Sequence, residues 1–278
     1  MSRRRAAARF WLRRPGLVVA VAVLAAVLLA AFFPGLFTGR DPLSGVPAER
    51  LQAPGPHHPF GTDQLGRDLF SRVVHGSALS LRATSLAVAV GLVAGSALGL
   101  AAGYAGGLLD DALMRIADVL LAIPSLLLSL ALVTALGFGT VKVAVAVGVT
   151  SVAGFARIMR AEVLRVREAT YVEAARSSGS GPLPVLLRHV LPNASGPVLV
   201  YAAIEFGTVV LAVSALSFLG YGAEPPAPEW GSLVSGGRDY LATAWWLTTL
   251  PGLTIAATVL AAGRVSRALD GEAEEASR

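Results

Sequence analysis

Six stretches, at 17–33, 84–102, 119–136, 140–156, 198–219 and 247–262, are too apolar and too long to lie on a water-exposed surface. A helix of about 20 apolar residues crosses the ~30 Å hydrocarbon core of a bilayer, and a helix satisfies its own backbone groups there. The pattern predicts an all-α integral membrane protein with six transmembrane helices. Composition agrees. Of 278 residues, 54% are hydrophobic and 15% charged, whereas a soluble domain carries roughly a quarter charged residues. The absence of cysteine excludes disulfides, thiolate metal sites and cysteine nucleophiles.

Charge sets the expected orientation. The net charge of +5 comes from 23 basic residues, of which Lys142 is the only lysine. Six arginines precede residue 15, and the next apolar run exceeds the ~7–15 residues of a signal-peptide core, with no small-x-small site after it. We read that run as a retained first helix. With the N-terminus inside, the cytoplasmic segments carry 16 basic residues and the outer segments 7. That bias follows the positive-inside rule and makes nucleic acid an unneeded explanation of the charge. The expected organisation is a cytoplasmic tail (1–16), a first span (17–33), an extracytoplasmic loop (34–82), a core of five spans (83–263) and a cytoplasmic tail (264–278).

The segment between the fourth and fifth spans is the functional candidate. Residues 168–193 read EATYVEAARSSGSGPLPVLLRHVLPN, and with their flanks they form a loop over 157–197. Loops of that length are usually functional. Residues 160–178 lack Pro and Gly and are rich in helix formers. Gly179 offers a helix stop, Pro182 suits the first turn of a second short helix, and Pro192 is expected to end it. Two helices bent at a glycine make a knob. Glu173 beside Ala174 and Ala175 offers one carboxylate and room for a partner backbone. A solvated amphipathic connector is the alternative.

Elsewhere, Thr62 or Asp63 is expected to cap a turn, and Arg67 and Asp68 to open a short amphipathic helix ending at Val74. Residues 104–118 read as a short cytoplasmic turn. Gly91, Gly95, Gly99 and Gly103 repeat at the spacing of a close-packing membrane face. Pro124 is expected to kink the third span. Lys142 is expected to snorkel, and Trp245 and Trp246 to anchor at the interface. His57 and His58 are adjacent, which is poor geometry for one metal ion without further ligands. We assign no metal site and no catalytic residue. Glu205 lies inside the fifth span, where a carboxylate is a functional candidate by default. Its alternatives are pairing with a neighbouring helix or a shallow position.

Several of these motifs carry a family resemblance. Glu173-Ala174-Ala175, three residues, Gly179, then Leu191-Pro192 resembles the EAA loop of importer-type ABC transporter permeases, with His189 at a position that is usually Ile. Arg188-His189-Val190-Leu191-Pro192-Asn193 is similar to the dipeptide, oligopeptide and nickel branch. Gly61, Thr62, Asp63, Gly66, Arg67 and Asp68 resemble the GTD-x-x-GRD signature of its C-type permeases. Residues 103–107 (GYAGG), 216–220 (LSFLG), 225–231 (PPAPEWG) and 237–240 (GRDY) are similar as well. Two departures stand out. The Glu usually found three residues before LSFLG is Val213, and only Ala268-Leu269-Asp270 remains of the usual tail motif.

The resemblance implies the type I ABC importer permease architecture, with the EAA loop as the ATPase-coupling element. It implies a second permease subunit of B-type, two cytoplasmic ATPases, an extracytoplasmic substrate-binding protein and a surround of membrane lipid. ATP and magnesium would be bound by the ATPases, with no cofactor in this chain. The solute would be a peptide, nickel or a related compound. The sequence agrees that ATP binds elsewhere, because Lys142 lies between Val141 and Val143 and forms no P-loop. An ion-coupled secondary transporter is the alternative, weakened by the scarcity of intramembrane charge. An intramembrane hydrolase would need a GxSxG motif or a Ser–His pair within the spans, and neither is visible.

Overall fold

The computed structural model describes residues 14–276, with side chains through residue 268. Its helices are α1 (Pro15–Phe32), α2 (Leu69–Ala105), α3 (Gly107–Ala122), α4 (Ser125–Leu136), α5 (Thr140–Arg167), α6 (Thr170–Ser177), α7 (Pro182–Val185), α8 (Leu191–Phe218), α9 (Trp230–Gly237) and α10 (Trp246–Ala276). A π-turn over Leu186–Val190 joins α7 to α8. Five of the described helices are long and apolar enough to cross a membrane, and α3 with α4 makes a sixth span if the bent pair counts as one.

The α2–α5 pair is the spine of the fold, and glycine is what lets it form. A Cβ on Gly95 would come within 2.5 Å of Val152 O and Phe155 Cβ. One on Gly99 would run into Ala156 O, and one on Gly103 would reach Val163 Cγ1 at 2.9 Å. From the other side, a Cβ on Gly148 would meet Ala87 O at 2.7 Å. Without side chains along the stripe the two backbones touch, so dispersion contacts replace the hydrophobic drive that lipid does not supply.

Several elements differ from the sequence expectation, each for a local reason. The short helix expected to end at Val74 is instead the start of α2, which at 37 residues is about 55 Å long and outruns the bilayer core. Asp68 caps it, accepting from the Ser71 amide at 2.7 Å. The expected turn at 104–118 is mostly α3, held on α5 by Arg160, whose Nε and Nη2 donate to Asp110 at 2.5 and 2.7 Å. Arg157 to Asp118 at 2.5 Å is a second tie. Pro124 does not kink a continuous span; α3 and α4 meet there at 96°. The expected 160–178 helix breaks at Glu168 and Ala169, between α5 and α6.

Pro192 does not end a helix either. The π-turn before it closes with the Leu191 amide bonded to Leu186 O, an i to i−5 bond, and α8 runs on through Pro192 and Pro197. For Pro192 a wider turn and a place at the helix start absorb the missing proline N–H, whereas Pro197 lies inside α8.

Candidate coupling and pathway site

At one end of the bundle, α6 and α7 form the expected knob. Gly179 stops α6 at φ +84°. Its amide bonds Arg176 O at 3.0 Å and the Ser180 amide bonds Ala175 O at 3.2 Å, the paired bonds of a Schellman stop. Pro182 starts α7 as expected. Glu173, Ala174 and Gly179 are exposed, and Ala175 is half-buried. Tyr171, Leu183 and Leu187 are also exposed, at 45%, 61% and 51%, so the free side of the knob is partly apolar.

Its inner side is anchored. Val172, Val185 and Val190 are fully buried in a cluster with Phe155, Met159 and Val163 of α5 and with Ala194 and Val198 of α8. Each such valine contributes about 1.5–3 kcal/mol of burial. Tyr104 Oη donates to Pro182 O at 2.7 Å, and Arg167 Nη1 to Gly103 O at 2.9 Å. The knob is thus tied to the ends of α2, α5 and α8. His189 and Leu191 are half-buried at the π-turn, Pro192 is exposed, and Asn193 Nδ2 donates to His189 O at 2.7 Å.

Glu205 lies one helix away, on α8. Ser151 of α5 donates its Oγ to Glu205 Oε1 at 2.8 Å. The half-buried Tyr201, one turn back, packs edge-on against Phe155 at 4.9 Å. The helix-pairing alternative is thus realised in part: the carboxylate has hydroxyl partners in Ser151 and Tyr201 and no cationic one among the described residues.

At the opposite end, the 60–68 motif is a compact staple. Asp63 caps the expected turn, its Oδ1 accepting the Leu65 and Arg67 amides at 2.8 and 3.0 Å and its Oδ2 accepting Arg67 Nε at 2.7 Å. Thr62 Oγ1 donates to Glu49 O and accepts the Gln52 amide. Gly61 has φ +74° and leaves space for Trp246, whose Nε1 donates to Thr62 O at 3.2 Å. Gly66, at φ +75°, sits against Val46 O. Trp246 is buried, which corrects the interfacial reading; Trp245 remains half-exposed. His58 Nδ1 lies 2.7 Å from Asp68 Oδ2, which Arg40 also contacts at 2.9 Å.

The comparisons with known proteins bear on this arrangement. The family described as the binding-protein-dependent transport system inner membrane component matches residues 95–272. The dipeptide transport system permease protein of Alkalihalophilus pseudofirmus is 39% identical over 243 residues, 87% of this chain and 80% of that protein. The glutathione transport system permease protein of Pectobacterium atrosepticum is 39% identical over 256 residues, 91% of this chain and 85% of that protein. The chain belongs to this permease family. The fold is similar to a chain of the inward-facing MetNI methionine ABC transporter, with TM-score 0.56 and 21% identity over 71% of this chain and 96% of that one.

The protein is thus the membrane permease of an ATP-driven, binding-protein-dependent importer, and ATP hydrolysis belongs to separate subunits. The comparisons lend no support to the ion-coupled alternative. Sequence reading missed the permease's anchoring valines, because a valine in so apolar a chain carries no mark. It missed Ser151 as the partner of Glu205 as well. A hydroxyl on a facing helix was a findable signal, since Ser151 is among the few polar residues of α5's apolar half.

Proposed function

We propose that this permease forms half of a peptide pathway with a second, B-type permease, and that two ATPases dock on knobs such as α6–α7. The anchored knob carries the reading. A docking element that transmits force must be open on one side and fixed on the other, and this one has exposed Glu173 and fully buried Val172 in neighbouring positions. Closure of the ATPases on ATP then pushes the knob, and α2, α5 and α8 follow because their ends are tied to it. The energy enters as differential binding of ATP to the closed ATPase pair. ATP and magnesium stay on those subunits. Peptide is favoured over nickel because both relatives named above are called dipeptide or glutathione permeases. Glu205 faces the pathway in this reading. Both termini and the knob are cytoplasmic, and the 60–68 and 221–240 segments face the substrate-binding protein.

The test is ATP-dependent uptake of a labelled dipeptide by the complex in proteoliposomes. Glu173→Lys reverses the charge on the docking face without touching a span. It is expected to insert normally, retain less ATPase in pull-down and lose uptake. Full uptake with partners bound would remove the docking role. Loss of uptake only through absence from the membrane would make the stretch a folding loop.

A further inference from the structure

The end of the bundle that carries the 60–68 motif also holds a cavity of about 340 Å³, between the start of α2 and the 223–237 segment. Its rim is exposed at Leu65, Pro225, Pro226 and Gly236. Asp63, Arg67 and Arg72 are its only charged lining residues. Asp63 is fully engaged by two amides and the Arg67 guanidinium. Arg72 Nε lies 3.7 Å from the same carboxylate oxygen, beyond hydrogen-bond reach, and its side chain is 7% exposed. Arg72 Nη1 donates to Pro42 O at 2.9 Å, while Nε is buried without a partner. A guanidinium carries five N–H donors, and among the described residues the Nε–H of Arg72 is buried and unspent.

Among the lining residues two buried guanidiniums stand against one carboxylate, an excess of one positive charge; the buried Glu229 carboxylate lies behind the lining and accepts the Ala223 amide at 2.7 Å. A buried cation without a counter-charge is destabilising. The planar guanidinium fork suits a carboxylate, and one unmatched charge calls for a monoanion. Walls such as Leu69, Leu233 and Leu247 suit a small organic group more than a hydrated ion. We propose that this cavity is a carboxylate-binding pocket, with Arg72 as the principal receptor and Arg67 beside it. The proposal rests on the reading that this end faces the outside. The carboxylate comes either from the C-terminus of an arriving peptide or from an acidic side chain of the delivering protein.

Gly236 makes the pocket testable without removing Arg72. A Cβ there meets nothing within 4 Å, so Gly236→Glu tethers a carboxylate at the cavity rim with no clash at its Cβ. The purified importer complex is titrated with tri-alanine, tri-alanine amide and acetate, and separately with its binding protein. Wild type is expected to bind tri-alanine and not the amide. Arg72→Gln is expected to weaken that binding about tenfold or more. Gly236→Glu is expected to raise the thermal midpoint and abolish the binding. If neither tri-alanine nor acetate binds, but the binding protein associates with wild type and not with Gly236→Glu, the source is an acidic side chain. The pocket is overturned if Gly236→Glu matches wild type with every probe, if the amide binds as well as the acid, or if folded Arg72→Gln keeps wild-type affinity. Binding in detergent is independent of orientation. Labelling of Glu224→Cys from the cytoplasm alone would therefore defeat the orientation reading separately.

Discussion

Gly179 isolates one physical cause. It holds φ +84° and a Cβ on it would meet no atom within 4 Å, so a substitution there is opposed by backbone conformation alone. A residue with a Cβ pays about 1–2 kcal/mol in that region, and Asn pays less than most. Gly179→Ala is therefore expected to reduce ATPase retention and uptake severalfold at matched membrane levels, with Gly179→Asn closer to wild type. Equal losses in pull-down and uptake for the two would contradict a role set by the turn. Glu205 separates charge from packing in a similar way. Gln at this position can still accept from Ser151 Oγ, so Glu205→Gln removes the charge and keeps that hydrogen bond. Altered uptake with normal assembly is expected if the carboxylate faces the pathway. Unchanged uptake with reduced expression would make it a structural pair. Glu173, Gly179 and Glu205 were legible because each is chemically unusual in its surroundings. Val172 and Val185 were not, because what distinguishes them is their long-range neighbours.

The glycines of α2 carry an element-scale consequence with a definite sign. Replacing Gly by Ala inside a helix ordinarily stabilises by roughly 0.5–1 kcal/mol. At Gly99 the new Cβ would run into Ala156 O of α5, and overpacking of that kind costs about 1–3 kcal/mol. Gly99→Ala is expected to lower the thermal midpoint of the purified permease. Gly263→Ala, on α10 with nothing within 4 Å of its Cβ, is expected to leave it unchanged or raise it. Two shifts of the same sign and size would mean that the α2–α5 contact is not limiting. Hydropathy located the apolar part of these helices and the glycine spacing located their contact face. Where the helices end was less visible. α2 continues to Leu69 because Asp68 caps it and because buried Trp230 donates to Val73 O at 3.0 Å. The right angle at Pro124 was legible only as a proline. The ion pairs that lay α3 on α5 join residues 39 and 50 positions apart, which a local pattern does not carry.

At the scale of the whole molecule, the two ends differ in kind. One carries the capped and stapled 60–68 motif, buried Trp230 and Trp246, and a cavity with an unmatched guanidinium. The other carries the knob, with its exposed Glu173 and its buried valines. A transporter coupled to ATPases on one side and a binding protein on the other requires that division, and the proposed orientation, with the knob inside, follows the positive-inside rule. The chain contains no cysteine, so single cysteines report sidedness without background. Glu224 and Ser178 are both exposed, so neither substitution disturbs packing. In intact cells, a membrane-impermeant maleimide is expected to label Glu224→Cys at once and Ser178→Cys only after the membrane is opened. The reverse pattern would put the knob outside, where no ATPase could reach it. Labelling of Ser178→Cys from both sides would mean that the bundle leaks or inverts during assembly, and the division of labour between its ends would fail with it.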